Sequence, residues 1–294
     1  MWDRIKQLWN KAPRPPQTLQ LPEQEQRALL AQAQQALDQG QYAQAERQAH
    51  ELAGSSIAEL SEQGMRLLGL VYFHQQQYLQ AWPIFQKLAQ RTGSVKDWFN
   101  VATSATLAGE IAQGASAFES ALKAHDGSDE SPALSAASMH LYYACALRDR
   151  SEHAKAFEHV QVLRALYEKL PQTDARTLEL RNFPRLDAVL DMMADVLAHS
   201  GDIPEAEAWL RSFGQQLKGS SIHKDIAQAI ERLHRKAPPA PPPQETAAAA
   251  ATPPGAAPAS APEPASAARA PLAEDSTAQQ SLPLERQDKE PRLD

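Results

Sequence analysis

One local pattern recurs five times along this 294-residue chain, and it constrains the fold more than any other feature. A small or polar residue suited to ending a helix comes first. A bulky residue follows two places on, and a small residue sits three places further. The pattern reads Gly40-Gln41-Tyr42-Ala43-Gln44-Ala45, then Gln76-Gln77-Tyr78-Leu79-Gln80-Ala81. It returns as Gly109-Glu110-Ile111-Ala112-Gln113-Gly114, Ser151-Glu152-His153-Ala154-Lys155-Ala156 and Gly201-Asp202-Ile203-Pro204-Glu205-Ala206. Glycine just past a helix adopts the left-handed conformation that caps it. The bulky residue then plugs the corner between two antiparallel helices, and the small residue lets them approach closely. The bulky positions 42, 78, 111, 153 and 203 are 36, 33, 42 and 50 residues apart. Such a chain is a row of helical hairpins.

The residues between the corners agree. Over 23–237 Val and Thr are sparse, and Ala, Leu, Gln and Glu dominate, all good helix formers. Ser94 with Asp97, and Asp202 with Glu205, have the three-residue offset of a capping box or its near relative. Gly93, Gly201 and Gly219 fall where helices should stop. Ser221–Lys236 reads as a terminal helix, with Ile222, Ile226, Ile230 and Leu233 on one stripe. An array needs that cap, because its last hairpin otherwise exposes an apolar face. Pro83 falls one turn into a helix and predicts a late start or a kink, at a cost of up to ~3 kcal/mol. His125–Ser131 reads as an inserted loop, with a helix start at Ser131-Pro132.

These units resemble tetratricopeptide repeats, helix-turn-helix modules of about 34 residues. The second unit carries Leu68-Gly69, Tyr72, Tyr78, Ala81, Phe85 and Ala89; the third has Trp98, Val101-Ala102, Ala105, Ile111, Gly114, Phe118 and Ala121. Looser matches are Leu29, Ala33, Ala36, Tyr42, Ala45, Ala49 and Ala53 in the first, and Leu190, Met193-Ala194, Leu197, Ile203, Ala206 and Leu210 in the fifth. The fourth, with Ala144, Leu147, His153, Ala156 and Val160, matches least. The resemblance covers about 200 residues. It implies an all-α fold: a helical-hairpin repeat array, a right-handed α-solenoid, closed by a terminal capping helix and followed by a disordered tail. It also implies a concave groove lined by the first helix of each unit. On that pattern the partner-binding residues are Leu30, Gln34, Leu67, Leu70, Lys96, Phe99, Asn100 and Thr103. Only Lys96 and Asn100 match the basic and amide clamp by which some members hold acidic peptide tails, so an apolar or amphipathic segment suits this groove better. Trp98, at the large aromatic position, is expected in the core.

Four segments follow: a short amphipathic helix over 1–12, a Pro-rich linker over 13–22, the repeat domain over 23–237 and an Ala/Pro-rich tail over 238–294. The tail holds 13 of the 22 prolines, 16 alanines and no aromatic residue, so it cannot bury enough surface to offset chain ordering. It has four basic residues against eight acidic ones, which leaves −3 of the net −7 on the rest. A near-balanced body has no electrostatic footprint for nucleic acid. In the first segment Trp2, Ile5 and Trp9 share one arc with Leu8 one step beyond, while Arg4, Lys6 and Lys11 make it basic. That pattern suits either an anionic membrane surface or a groove on a protein.

Chemistry is hard to find in the sequence. Cys145 stands alone, so neither an internal disulfide nor a cysteine cage for zinc is available, and a small buried apolar role is expected. No Gly-rich phosphate loop, Gly-x-Ser-x-Gly or His-Glu-x-x-His occurs. His153 and His159 lie on different faces of one helix, and His140, His199, His223 and His234 read as isolated surface or core-edge residues. Asp187, Asp191 and Asp195 recur every four residues, a candidate docking edge for a basic peptide. The expectation is a protein without enzymatic activity, cofactor or metal, which binds a protein partner. It lacks a secretory signal and is expected in the cytoplasm, with peripheral membrane contact through its N-terminus as the alternative.

Overall fold

The computed structural model describes residues 21–126, 134–199, 201–219 and 221–237. Among them are twelve α-helices and no β-strand. They are α1 (Glu23–Asp38), α2 (Tyr42–Ala53), α3 (Ala58–His74), α4 (Tyr78–Thr92), α5 (Val95–Ala108) and α6 (Ile111–Asp126). Then come α7 (Ala136–Asp149), α8 (His153–Glu168), α9 (Ala175–Leu180), α10 (Leu186–Leu197), α11 (Ile203–Gln216) and α12 (Ile222–Lys236). Four hairpins, α1–α2, α3–α4, α5–α6 and α7–α8, pack directly, while α10 and α11 are joined through α12 and α8, each of which packs on both. The all-α helical-hairpin array is the fold.

All five bulky corner residues are the first residue of a helix: Tyr42, Tyr78, Ile111, His153 and Ile203. Two places earlier the backbone turns left-handed every time, at Gly40 (φ 69°), Gln76 (58°), Gly109 (94°), Ser151 (61°) and Gly201 (83°). In the first four corners the next amide reaches back five residues to a carbonyl. Gln41 N donates to Ala36 O at 2.8 Å, Gln77 N to Tyr72 O at 2.8 Å, Glu110 N to Ala105 O at 2.9 Å and Glu152 N to Leu147 O at 2.9 Å. That bond satisfies a helix-end carbonyl and sets the reversal. Gln76 and Ser151 make the same turn with a Cβ, at a cost of roughly 1–2 kcal/mol each.

Close approach explains two further residues. A Cβ at Gly69 would strike the Phe85 ring at 2.5 Å, and one at Gly64 would meet Ala53 N at 2.5 Å. Gly69 thus seats α4 against α3 within a unit, and Gly64 seats α3 against α2 of the unit before.

The side-chain caps also form where expected: Asp97 N donates to Ser94 Oγ at 3.1 Å and Glu205 N to an Asp202 carboxylate oxygen at 2.9 Å. Three expectations change. α4 starts at Tyr78 with Pro83 inside it, so the helix does not begin late. α6 runs through His125, and α7 is capped by Ser135 rather than begun at Ser131-Pro132, because Ser135 Oγ can accept from Ser138 N at 3.1 Å. The 50-residue spacing before Ile203 holds an extra short helix, α9, capped by Asp174 and tied down where Thr173 N donates to Lys218 O at 2.9 Å. On α12, Ile222, Ile226, Ala229, Ile230 and Leu233 are all buried.

Candidate functional site

The first helices of the units carry the proposed groove, and α5 is the one on which its polar residues concentrate. Ten of its fourteen residues are buried: Val95, Asp97 and the whole run Phe99–Thr106. A helix buried nearly all round must satisfy its polar side chains internally. Thr103 Oγ1 donates to Phe99 O at 3.1 Å, and Ser104 Oγ to Asn100 O at 2.5 Å. Thr106 Oγ1 donates to Tyr143 Oη at 3.3 Å. Asn100 differs. Its side-chain Oδ1 and Nδ2 are both buried without a hydrogen-bond partner. A buried primary amide with neither oxygen nor nitrogen bonded carries a desolvation cost of about 1–3 kcal/mol per group.

Asp97 anchors this helix. Its side chain is fully buried, and Arg66 of α3 grips it with two hydrogen bonds of 2.8 Å. Thr92 Oγ1 and Ser94 Oγ donate to it as well, at 2.8 and 2.9 Å. Burial alone would raise its pKa, but the Arg66 hydrogen bonds and charge, with the two hydroxyls, outweigh that and hold it below the usual carboxylate range.

The eight groove residues divide. Leu30, Gln34 and Lys96 are half-buried, with surface to offer. Leu67, Leu70, Phe99, Asn100 and Thr103 are buried, with almost no surface to offer. Trp98, expected in the core, is only half-buried, and Phe99 takes the core position instead, 1% exposed. Adjacent residues on a helix point about 100° apart, so a one-residue change of phase exchanges the two aromatics.

The acidic stripe on α10 already has basic partners within the chain. Asp195 is buried and accepts from Arg232 Nε at 2.7 Å and Arg148 Nη1 at 3.2 Å. Asp191 lies 3.6 Å from Arg232, and Asp187 pairs with Arg185. Asp195 thus ties α7 and α12 to α10, while Asp187 and Asp191 of the expected docking edge stay exposed. Trp2, Ile5, Leu8 and Trp9 lie outside the described residues, as do the 1–12 helix, most of the 13–22 linker and the 238–294 tail. Cys145 is half-buried, and burial pushes its thiol up to about 11.

A tetratricopeptide repeat family model matches residues 30–94, which span most of the first two hairpins. This is a tetratricopeptide-like array. No curated protein matches the chain significantly. Tetratricopeptide repeats generally mediate protein–protein interaction and are typically non-catalytic. No helix among the described residues is long and apolar enough to cross a membrane.

The tetratricopeptide-like array also pairs histidines that look isolated in sequence. His140 Nδ1 and His159 Nδ1 are 2.8 Å apart, and the rings of His153 and His199 stack with centroids at 3.8 Å. These partners are 19 and 46 residues apart and sit on different elements, so spacing along one helix carries no sign of them.

Proposed function

We propose that this array is a non-catalytic scaffold that binds a partner polypeptide along the face made by α1, α3 and α5. The observation that carries this reading is the Asn100 amide, buried on α5 with its oxygen and nitrogen unbonded. A primary amide matches the donor and acceptor of one peptide unit, which would relieve the cost of leaving it unpaired. Leu67, Leu70 and Phe99 are buried on the same first helices, and the half-buried Leu30, Gln34 and Lys96 would make the first contact. The chemistry suits an apolar or amphipathic segment with one polar group placed over Asn100.

Asn100→Leu separates binding from folding. It replaces the unpaired amide with an apolar group of similar size, so the variant should be more stable by about 1–3 kcal/mol in chemical denaturation while losing retention of the partner. A variant that is less stable and still retains its partner would contradict the reading. The basic Trp2, Ile5, Leu8 and Trp9 stripe supports a second reading, a membrane-peripheral organiser tethered by residues 1–12. Sedimentation of the full chain with anionic vesicles, abolished by Trp2→Ala with Trp9→Ala, would favour that reading.

A further inference from the structure

The geometry points to an acid-sensitive junction: the paired imidazoles of His140 and His159 hold the two helices of the fourth unit together, against Phe118 of the third, only while they share a single proton between their facing nitrogens. This inference is independent of the groove reading, because it concerns α6, α7 and α8 and needs no partner.

The pair is built into an aromatic box. Phe118 of α6 meets His140 and His159 edge-on, with centroids 5.2 and 4.9 Å away, and stacks on Tyr143 of α7 at 4.4 Å. Tyr143 meets His159 edge-on at 5.0 Å. The Nδ1 to Nδ1 contact of 2.8 Å is a hydrogen bond only if one nitrogen carries the proton and the other is bare. Protonating both would set two N–H groups head to head inside the box, and the rings would have to part.

Among the described residues no countercharge acts on either imidazole. Burial alone acts on His140, and burial followed by the charge of His140 acts on His159, which pushes both down to about 4. From α5 the box receives the neutral Thr106 hydroxyl through Tyr143. On α6, Glu119 acts on Tyr143 and on neither imidazole. On α7 and α10, Asp149 and Asp195 hold Arg148; on α8, Arg164 pairs with Glu168 and lies over Trp209 of α11.

The opposite side of the fourth unit repeats the arrangement. His153 of α8 stacks on His199, just past α10, with the ring planes 6° apart. His199 Nδ1 lies 3.0 Å from Asp195 O, while His153 Nδ1 is buried without a partner. The His153 pKa is lowered by burial first, then by His199 and Arg148. A proton gained by His153 would place its charge beside the Arg148 guanidinium. Acid therefore strains both sides of the fourth unit.

The direction follows from linkage. An unfolded histidine takes its proton near pH 6.5, whereas these imidazoles stay neutral in the fold down to about 4. Their contribution is complete above about pH 6.5 and declines as the pH falls from there toward 4, as the opened chain binds the protons. The first two units contain one lowered histidine, His74, stacked on Tyr42 at 6.3 Å, with Asp38 opposing the shift. They should outlast the fourth unit.

Hydrogen exchange of the full chain, corrected for intrinsic rates, tests this between about pH 7.5 and pH 4.5. Protection across 136–168 should fall by about tenfold or more below roughly pH 5.5, with 42–92 retained. The double variant His140→Gln with His159→Gln, whose amides have no proton to gain, should hold that protection to about one pH unit lower. Loss in both regions together would overturn the inference, as would loss in the variant at the same pH as in the native chain. A variant that does not fold leaves the decision to nuclear magnetic resonance titration of the native imidazoles. Titration of His140 and His159 near pH 6.5 with protection intact would overturn the proposal; titration below pH 5, accompanied by exchange, would support it.

Discussion

Asp97→Ala should destabilise the array by about 3–5 kcal/mol, because it leaves a guanidinium facing a cavity it was built to fill. The Asp97 side chain is fully buried and that of Arg66 is 21% exposed, so the arginine keeps only slight access to water once its partner is gone. Ser94 and Thr92 lose an acceptor in the same step, and α5 loses the carboxylate in its first turn. Replacing both partners with apolar residues, Arg66→Met with Asp97→Leu, should recover most of the loss, since the penalty lies in the unpaired charge. The pH dependence separates this pair from the histidines. A carboxylate held below its usual range contributes in full above that range, and its contribution is lost only as the pH falls through the lowered folded value. The decline between about pH 6.5 and pH 4 should therefore be unchanged in the Asp97→Ala variant, because it belongs to the buried histidines, His140 and His159 foremost. Urea denaturation across pH checks both points. A cost under about 1 kcal/mol would mean that the pair behaves like an exposed one.

Phe99→Ala should cost a similar amount, about 3–5 kcal/mol, and Trp98→Ala roughly half of that. Phe99 is 1% exposed and lies 6.4 Å from the Phe118 ring, so its loss opens a cavity between α5 and α6. Trp98 is half-buried, so water can enter the space it leaves. Thermal melts of the two variants rank them directly. The reverse order would put the larger ring in the core and shift the register of α5 by one residue.

That aromatic exchange marks where the sequence stops being legible. The corners could be read because their physics is local. A left-handed residue, an N-terminal helix residue and a small contact residue fall within six positions, and Tyr42, Tyr78, Ile111, His153 and Ile203 each begin a helix as the pattern requires. Helix phase is less local. On an amphipathic helix the polar face identifies the core face, but α5 is buried on nearly every side, so Trp98 and Phe99 could not be ranked from periodicity. Contacts between units were not legible at all. Arg66 and Asp97 are 31 residues apart, Asp195 and Arg232 are 37 apart, and no short-range spacing announces either pair. For that reason the α10 carboxylates look vacant in sequence, although in the fold Arg148 and Arg232 neutralise them. The burial of the candidate groove residues was not legible either: Asn100 and Thr103 are buried on α5, a helix that packs on α7 as well as on α4 and α6.

The most direct measurement of the scaffold reading is site-specific photo-crosslinking in the full chain. One reactive residue would stand at position 96, on first helix α5, and another at position 87, on the exposed face of second helix α4. Binding along the first-helix face predicts a partner adduct from position 96 that Asn100→Leu removes, and none from position 87. Adducts from position 87 alone, unaffected by Asn100→Leu, would contradict it.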